Sequence, residues 1–492
     1  MSAKATSAAS HEVPFSIKNI LAPLAAIIVG IFMVVLDGTA VNVAIPGLLK
    51  EFNTTYQVVQ WTVTGYALAQ AAVIPLAGWL SDRFGAKQVF IISVILFTIG
   101  SLLCAFSSSV EMLIIFRILQ GLGGGMVMPI AMAFTFRLSP PEKVGAVMGM
   151  MGIPILLAPA LGPVLAGWLV DYASWKWLFL INIPIGIVGT ILAIRTLPKV
   201  EKQAVAALDR FGFILAPIAF AGLSYGVSEG AVSWTASKTI IGITVGAAAL
   251  ILFIIAELRH KSPLLELRVF RSGGFTRGII VQWISQIALF GTMFLVPLFL
   301  QQAKGYSAFD TGLIMLPQAI AAGVFMPIGG KLYDKIGARP LVLIGMLLVT
   351  AAAFILSTVD ANSGLSTIMI PLALLGAGMG LSMMPLNTHL MQAAPRDLVS
   401  RVTSLTNAAQ QVMTSFAVAG LATILAKRMV INNPTPEKPP TFEIWSMSFG
   451  DTFLVLTFIA VFGAILGLML SKPARKAGEE ETKQPEMMMH IG

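Results

Sequence analysis

Two charged residues inside long apolar stretches are the candidates for chemistry in this sequence. Asp37 lies in the apolar stretch 21–46, and Arg117 lies in the apolar stretch 111–137. About 20 apolar residues are enough for a helix to cross a bilayer, so both stretches are long enough to span. An ionised side chain at that depth costs several kcal/mol unless it meets a partner or a water-filled cavity, which makes both residues functional candidates.

The depths of the two residues allow them to meet and to handle a proton. Counted at the helical rise, Asp37 lies about 14 Å and Arg117 about 9 Å from the outer ends of their spans. Burial favours a neutral carboxylic acid, whereas a neighbouring guanidinium favours the carboxylate, so a rearrangement could bind and release a proton. We therefore predict that Asp37 and Arg117 couple proton movement to a conformational cycle. A static ion pair, or an Arg117 that reaches the interface from a helix end, are the alternatives.

Composition assigns the chain to the helical integral membrane proteins. Of its 492 residues, 57% are apolar and 11% are charged, against about 25% charged in soluble proteins. Continuous apolar stretches exclude an outer-membrane barrel, and no basic stripe interleaved with aromatics indicates nucleic acid as a partner. Cys104 is the single cysteine, so neither an intramolecular disulfide nor a cysteine-rich metal site is expected. The spans hold no paired acids or His/Glu cluster, so we expect no enzyme, no cofactor and no metal site.

Fourteen membrane-spanning helices and five regions are predicted. The predicted spans are 21–46, 57–80, 88–106, 111–137, 144–170, 177–197, 210–229, 237–257, 275–301, 311–332, 340–358, 364–390, 401–426 and 449–471. The regions are an N-terminal tail (1–20), a six-helix bundle (21–197), an inserted helix pair with its linkers (198–274), a second six-helix bundle (275–471) and a C-terminal tail (472–492). Loops on one side carry about 24 Lys and Arg and those on the other about 7, which places both termini in the cytoplasm. On the outer side, the Pro-rich segment 427–449 is expected to be an extended loop.

One loop pattern occurs twice, at 78–87 and at 330–339. Both copies read Gly-x-Leu-x-Asp-basic-x-Gly-Ala-basic and end a predicted span on the cytoplasmic side. Duplication of a six-helix half explains the repeat, and parallel repeats are a transporter architecture with the substrate site between the halves. The glycine lets a neighbouring helix approach, and the acid can cap a helix N-terminus or pair with an arginine. We predict a conformational latch, with a plain tight turn as the alternative, formed by Gly78, Asp82, Arg83, Gly85, Lys87, Asp334 and Lys335.

Further residues inside the spans are candidates for packing or for a substrate cavity. Glycines allow close packing and prolines bend a helix, and the fifth span carries both kinds, at Gly152, Pro159, Gly162, Pro163 and Gly167. Polar side chains avoid lipid, so those within spans are expected to face a cavity or a neighbouring helix. The candidate cavity residues are Gln60, Trp61, Tyr66, Gln70, Gln282, Trp283, Gln286, Asn407, Gln410 and Gln411. The 25 methionines suit an adaptable apolar pocket, with ordinary core filling as the alternative.

Five motifs in order resemble those of the fourteen-helix drug:proton antiporters of the major facilitator superfamily. The loop 78–87 is similar to the superfamily signature between helices 2 and 3, and residues 36–46 to the helix 1 motif of the drug-exporting branch. Residues 117–123 are similar to the Arg-x-x-Gln-Gly-x-Gly motif of helix 4, residues 152–167 to the antiporter motif of helix 5, and residues 175–184 to the entry of helix 6. The resemblance covers roughly residues 20–471 and leaves both tails without a match.

The resemblance implies a proton-coupled exporter of hydrophobic or cationic small molecules that works by alternating access in the cytoplasmic (inner) membrane. It also implies that the first and fourth spans are neighbours and that the fifth span seals the cavity against leak. No Gly-x4-Gly-Lys-Ser/Thr motif occurs, so we expect ion gradients to supply the energy. The expected partners are protons, a small-molecule substrate and the lipid bilayer; nothing in the sequence decides whether an adaptor protein takes part. The alternatives are a proton-coupled transporter of one metabolite on the same fold, and a channel.

Overall fold

The computed structural model describes residues 18–54, 56–199, 209–230, 232–260, 263–360, 363–394, 398–433 and 441–470. Within these ranges the regular secondary structure is helical, without a β-strand. The α-helices are α1 (Lys18–Glu51), α2 (Tyr56–Val73), α3 (Leu76–Phe84), α4 (Ala86–Ala105), α5 (Val110–Leu138), α6 (Val144–Tyr172), α7 (Trp177–Leu180), α8 (Asn182–Thr196), α9 (Arg210–Gly230), α10 (Ser237–Arg259), α11 (Gly273–Gln302), α12 (Ala308–Ile336), α13 (Ala338–Ser357), α14 (Leu365–Gln392), α15 (Val399–Asn432) and α16 (Phe442–Gly467). Two short 3-10 helices cover Pro141–Lys143 and Leu267–Arg271. Almost all of both predicted tails lies outside the described residues.

Most of these helices are long and apolar enough to cross a membrane, as expected of a multi-pass membrane protein. Among the described residues, 12 helices pass on length and hydropathy, and 13 pass when the bent pair α2 and α3 counts as one span. α6 is a further helix of 29 residues, several of whose side chains lie outside the described set. Each predicted span overlaps a helix or a helix pair, while fourteen as the number of crossings stays a prediction.

Two of the predicted spans are each broken into two helices. α2 and α3 meet at an angle of 54° on either side of Ile74 and Pro75. Pro75 has no N–H to donate and its ring clashes with the preceding turn, so the span 57–80 bends at this point. The span 177–197 is interrupted at Ile181, between α7 and α8, just before Pro184 enters the first turn of α8. A hydropathy window cannot register either break, since both segments remain apolar.

The predicted extended loop at 427–449 is wrong at both of its ends. α15 continues to Asn432, and α16 already begins at Phe442. Thr441 caps α16, because its side chain accepts a hydrogen bond from the N–H of Ile444 at 3.4 Å. Residues 434–440 lie outside the described part. The sequence boundaries followed hydropathy, and both helices extend beyond their apolar windows with polar turns.

The helices pack mainly with others of their own half of the chain. α1 packs on α6 and α8, α4 on α5 and α8, and α2 on α5. In the second half, α12 and α13 pack on α14, and α16 packs on α11 and α13. Among the described helices, the halves meet where α6 packs on α12 and α14, and where α15 packs on α2, α3 and α5. The hairpin of α9 and α10 packs against itself and reaches α2 and α15.

Candidate functional site

Asp37 and Arg117 lie in contact in the interior of the first half. α1 and α5 pack together, and Arg117 Nη1 donates to Asp37 Oδ2 at 2.5 Å. Both side chains are fully buried, and Arg117 is the largest side chain buried to this degree among the described residues. Removing either partner would leave an uncompensated buried charge, so the two are held together strongly. The two residues therefore meet, and their coupling to proton movement stays a prediction.

Three polar side chains complete a network around Asp37. Its Oδ1 accepts from Asn182 Nδ2 at 2.8 Å and from Gln120 Nε2 at 3.1 Å. Both amides also donate to Ser101 Oγ, at 3.1 Å from Asn182 and at 2.5 Å from Gln120. Together with Arg117, the carboxyl group receives three donors, and hydrogen bonds of this kind stabilise a carboxylate. The network thus joins the Asp37 carboxyl group to α4, α5 and α8 at once.

Helix packing explains why α4 and α5 bring these groups together. Arg117 and Gln120 are three residues apart on α5 and therefore share a helix face. α4 approaches that face closely, because a Cβ on Gly100 would lie only 2.7 Å from Gln120 Cα. Gln120 and Asn182 lie within the motifs 117–123 and 175–184 but have no role predicted from the sequence, and Ser101 lies outside every predicted motif. Only the spacing of Gln120 from Arg117 offered a signal that could have found one of them.

Tyr66 of α2 lies between the ion pair and the central cavity. The guanidinium carbon of Arg117 is 3.9 Å from the centre of the Tyr66 ring, a cation–π distance. Arg117 Nε donates to the carbonyl of Thr62 at 3.1 Å, while its Nη2 has no hydrogen-bond partner among the described residues. Tyr66 also lines the cavity, so one ring touches both the charged pair and the space open to a ligand.

The central cavity has a volume of about 410 Å³ and is lined by residues of both halves. Its described lining holds no Asp, Glu, Lys or Arg. Thioethers and amides provide much of the wall, and they are Met128, Met132, Met293, Met379, Met383, Met384, Met391, Gln70, Asn387, Asn407, Gln410 and Gln411. Methionine is flexible and polarizable, so such a wall adapts to differently shaped, largely apolar ligands.

Half of the predicted cavity residues line this space. Those that do are Tyr66, Gln70, Asn407, Gln410 and Gln411. Gln282, Trp283 and Gln286 of α11 do not belong to the described lining. Gln282 instead donates to Asn387 at 2.5 Å, which makes it a support for a cavity residue. A polar residue in a span can thus be buried by a neighbouring helix without reaching the cavity.

Gln60 and Trp61 do not belong to the described cavity lining. Gln60 is exposed, and Trp61 is 40% exposed. The Trp61 ring stacks on Tyr225 of α9, with ring centres 6.0 Å apart. The inserted hairpin covers this side of α2, so an amphipathic aromatic residue finds a partner there that is neither cavity nor lipid.

The first copy of the duplicated loop makes an ion-pair contact between the halves. Asp82 is buried at the end of α3, 3.3 Å from Arg401 Nε at the start of α15. Arg137 Nη2, at the end of α5, lies 3.5 Å from the other carboxylate oxygen. α15 comes this close because a Cβ on Gly78 would lie 2.8 Å from the carbonyl oxygen of Ser400.

The second copy contacts the N-terminus of a helix. Asp334, near the end of α12, accepts from the N–H of Gly145 at 2.8 Å and of Ala146 at 3.0 Å, at the start of α6. The first N–H groups of a helix lack partners within it, and the helix dipole favours a negative charge there. Close approach depends on glycine, because a Cβ on Gly330 would lie 3.0 Å from Gly149 Cα.

The other predicted latch residues do not bridge the halves among the described contacts. Gly85 ends α3 with φ of 94°, a conformation that side chains with a Cβ rarely adopt. Lys87 Nζ donates to two carbonyls at the end of α8, at 2.6 and 2.7 Å, and so caps a helix of its own half. Arg83 and Lys335 are exposed. The part of these four residues in a latch stays a prediction.

Two glycines of the fifth-span motif mediate close packing of α6. A Cβ on Gly152 would lie 2.8 Å from the methyl of Met326 on α12, and one on Gly162 would lie 3.1 Å from Thr39 Cβ on α1. Gly167 has no neighbour within 4 Å of such a position, so close packing does not explain it. The side chains of Pro159 and Pro163 lie outside the described residues. The sealing function of this motif stays a prediction.

Comparison with known proteins gives the same family on sequence and on fold. The sequence model described as Major Facilitator Superfamily matches residues 27–418. The chain is 36% identical over 394 residues to the "Multidrug resistance protein B homolog" of Mycobacterium tuberculosis, covering 79% of this chain and 73% of that one. It is 32% identical over 441 residues to the "Lincomycin resistance protein LmrB" of Bacillus subtilis, covering 88% and 92%. The solved MFS proton:xylose symporter XylE has a similar fold, with a TM-score of 0.66 at 16% identity over 93% of this chain and 97% of that one.

Proposed function

Because the chain belongs to the Major Facilitator Superfamily, a family of transporters rather than enzymes, we propose that it exports hydrophobic or cationic small molecules in exchange for protons. The relatives named for multidrug and lincomycin resistance support export of drug-like compounds. The single observation that carries the proton coupling is the fully buried Asp37–Arg117 pair, one aromatic ring away from the cavity. A buried ionisable pair on a transport pathway is the usual place for a proton relay.

Coupling works through exchange of donors at Asp37. Three donors bind the carboxyl group in the present state. In this proposal, separation of α1 from α5 or α8 removes donors, and a proton takes their place. A ligand in the cavity contacts Tyr66, whose ring lies on the Arg117 guanidinium. Ligand binding and proton binding therefore both act on the Arg117 guanidinium, the ligand through Tyr66 and the proton through Asp37. Each proton that enters with a 100 mV potential supplies about 2.3 kcal/mol.

The cavity wall supports broad selectivity. Its described residues provide thioethers, amides and the aromatic rings of Tyr66 and Phe290, and no fixed charge that would select a single ion. Apolar compounds gain from burial against the methionines, and a delocalised cation gains from the Tyr66 ring and the amide oxygens. A pocket built to hold one polar metabolite would need precisely placed donors and acceptors for each of its groups.

The topology that goes with this function has fourteen crossings, with α6 as the remaining one, and both termini in the cytoplasm of a bacterial-type inner membrane. Two six-helix bundles, with the α9–α10 hairpin inserted between them, alternate access to the cavity. In the structure both copies of the duplicated loop are engaged across the halves at the same end. Under the proposed topology that end is cytoplasmic, so this state is closed toward the cytoplasm.

The test is proton release from energised inverted vesicles when lipophilic compounds are added. We expect several unrelated compounds to release protons in the wild type, and Asp37→Asn to reduce the signal to background. Asp310→Asn, at an exposed position, is the control for loss of an acid. Unchanged proton release in Asp37→Asn would refute the role of Asp37. Release with one compound alone would replace multidrug export by transport of a single metabolite.

A further inference from the structure

Two buried carboxyl groups face each other at the base of the inserted hairpin, away from the cavity. Asp209 immediately precedes α9, and Glu257 lies in the last turn of α10. Asp209 is 4% exposed and Glu257 is 1% exposed. Each is therefore as buried as a core residue, and two ionised carboxylates at such a place would be costly.

Each carboxyl group uses one oxygen on backbone N–H groups and leaves the other without a donor. Asp209 Oδ1 accepts from the N–H groups of Phe211 and Gly212, both at 3.0 Å, and so caps α9. Glu257 binds the N–H of Leu265 at 3.3 Å through Oε2. Asp209 Oδ2 and Glu257 Oε1 are buried and have no hydrogen-bond partner among the described residues.

The two free oxygens converge on one point. A Cβ on Gly212 would lie 2.8 Å from Asp209 Oδ2 and would also collide with Glu257 Oε1. Two acceptors that meet in a buried place need a cation or a proton between them. The absence of a Cβ at Gly212 keeps that place open.

No charged side chain in the described surroundings supplies the missing positive charge. Neither carboxyl group forms a salt bridge with a described residue. The charged and titratable residues at this end of the elements that pack around the pair are Arg210, Arg259, His260, Glu266, Arg268, Arg271 and Arg401. Tyr225 and Glu229 of α9, Lys238 of α10, and Lys427 and Arg428 of α15 lie toward the other ends of their helices, and α2 carries no Asp, Glu, Lys, Arg or His. Arg210, Arg259, Arg268 and Arg271 are exposed, Glu266 accepts from the N–H of Arg268, and Arg401 is bound to Asp82.

We propose that Asp209 and Glu257 form a proton-binding site outside the transport pathway, in which one proton bridges Asp209 Oδ2 and Glu257 Oε1. The bridge ties the start of α9 to the end of α10, and through the N–H of Leu265 to the segment that leads to α11. Pro263 in this segment accepts a hydrogen bond from Arg401 Nη1 at 3.0 Å. The proton thus stabilises the segment whose Pro263 carbonyl binds Arg401, the arginine that pairs with Asp82. The link from this segment to the transport cycle rests on the proposed function.

The sign of the pH dependence follows from where the proton is bound. At neutral pH the folded protein holds a proton that the carboxyl groups of the unfolded chain have already released, so the bridge stabilises the fold at low pH and is lost as pH rises. An amide in place of either carboxyl group donates the same hydrogen bond at every pH. Asn is also a good N-cap, so Asp209→Asn keeps the cap of α9.

The experiment compares hydrogen exchange of residues 263–270 and the melting temperature of purified full-length protein between about pH 6 and pH 9. In the wild type, we expect exchange of this segment, corrected for the intrinsic rate, to become about tenfold faster across that range, and the melting temperature to fall. In Glu257→Gln and in Asp209→Asn, both quantities should stay nearly constant with pH. Glu443→Gln, at an exposed position, should follow the wild type.

Two outcomes would overturn the proposal. Amide variants that are less stable than the wild type at every pH would show that both carboxyl groups are ionised and paired with a cationic side chain. Protection by added calcium or magnesium ions that EDTA reverses, and that either amide variant loses, would show a metal ion in place of the proton. Either amide variant alone carries the test if the other does not fold. None of these readouts depends on transport, so their failure is distinguishable from failure of the proposed exporter function.

Discussion

The two copies of the duplicated loop share a sequence pattern but use their acids differently. Asp82 pairs with Arg401 and Arg137, whereas Asp334 binds the N–H groups that begin α6. The opposing helix decides which interaction forms, because α15 brings an arginine and α6 brings a helix N-terminus. The shared pattern therefore specifies a carboxylate at the boundary between the halves, and leaves its partner to the other half.

The two contacts also differ in what they cost when they open. Separation of Asp82 from Arg401 breaks a charge pair that is buried in the present state, where the attraction between the charges is stronger than in water. Separation of Asp334 from α6 releases backbone N–H groups that water can satisfy, and Asp334 itself is only half-buried. We therefore expect the first contact to control the opening of this end, with the second as a weaker support.

The largest effect is expected for Asp82→Asn, which leaves Arg401 without its buried counter-charge. Loss of one partner of a buried ion pair costs about 3 kcal/mol, which favours the open state by about a hundredfold. The measurement is the distance between spin labels on cysteines at the exposed positions Phe84 and Ile336, in a Cys104→Ser background. A long distance should predominate. Arg83→Gln, the neighbouring exposed charge, is the control, and equal distances in both variants would contradict the prediction.

A smaller effect is expected at the second contact. Asp334→Ala removes both hydrogen bonds to α6, at a cost of about 1 kcal/mol as for other helix caps, or about fivefold in the population. Asp334→Asn keeps an acceptor for the N–H groups. We therefore expect it to change the free-energy difference between the open and closed states by less than half as much as Asp334→Ala does. Lys335→Gln is the matched control. An effect of Asp334→Ala as large as that of Asp82→Asn would contradict the expectation that the Asp334 contact is the weaker of the two.

The smallest effect is expected for Arg137→Gln. Arg137 is partly exposed and lies 3.5 Å from Asp82, so water screens the pair. The expected cost is about 0.5 kcal/mol, about a twofold change in the population. Arg401→Gln provides the contrast, because that arginine is buried and also supports Pro263. A shift in Arg137→Gln equal to that in Arg401→Gln would show that Asp82 depends on both arginines alike.

Part of the site could be predicted because a charge in an apolar span stands out in a sequence. Asp37 and Arg117 were found this way, and the helical rise placed them at similar depths. The acids of the duplicated loop were found because a repeat in register is independent of tertiary structure. The partners of these acids could not be found, since Arg401 is 319 residues from Asp82, and Gly145 is 189 residues from Asp334.

Residues that depend on which helices are neighbours were missed or misplaced. Asn182 reaches Asp37 only because α8 packs on α1, and its own segment gives no sign of that contact. Trp61 was a candidate for the cavity or for a contact with a neighbouring helix, because polar and amphipathic residues avoid lipid. The structure gives it the second environment, against the ring of Tyr225 on the inserted hairpin. The periodicity of α2 does not indicate where the α9–α10 hairpin packs.

The seven methionines of the cavity wall make the function of this protein sensitive to oxidants. Oxidation turns a thioether into a sulfoxide, which is polar and chiral. A wall modified in this way would lose affinity for apolar compounds, while the ion pairs and caps that hold the helices contain no sulfur. Exposure to an oxidant would therefore reduce transport of apolar compounds by a protein that stays folded, and enzymatic reduction of the sulfoxides would restore it.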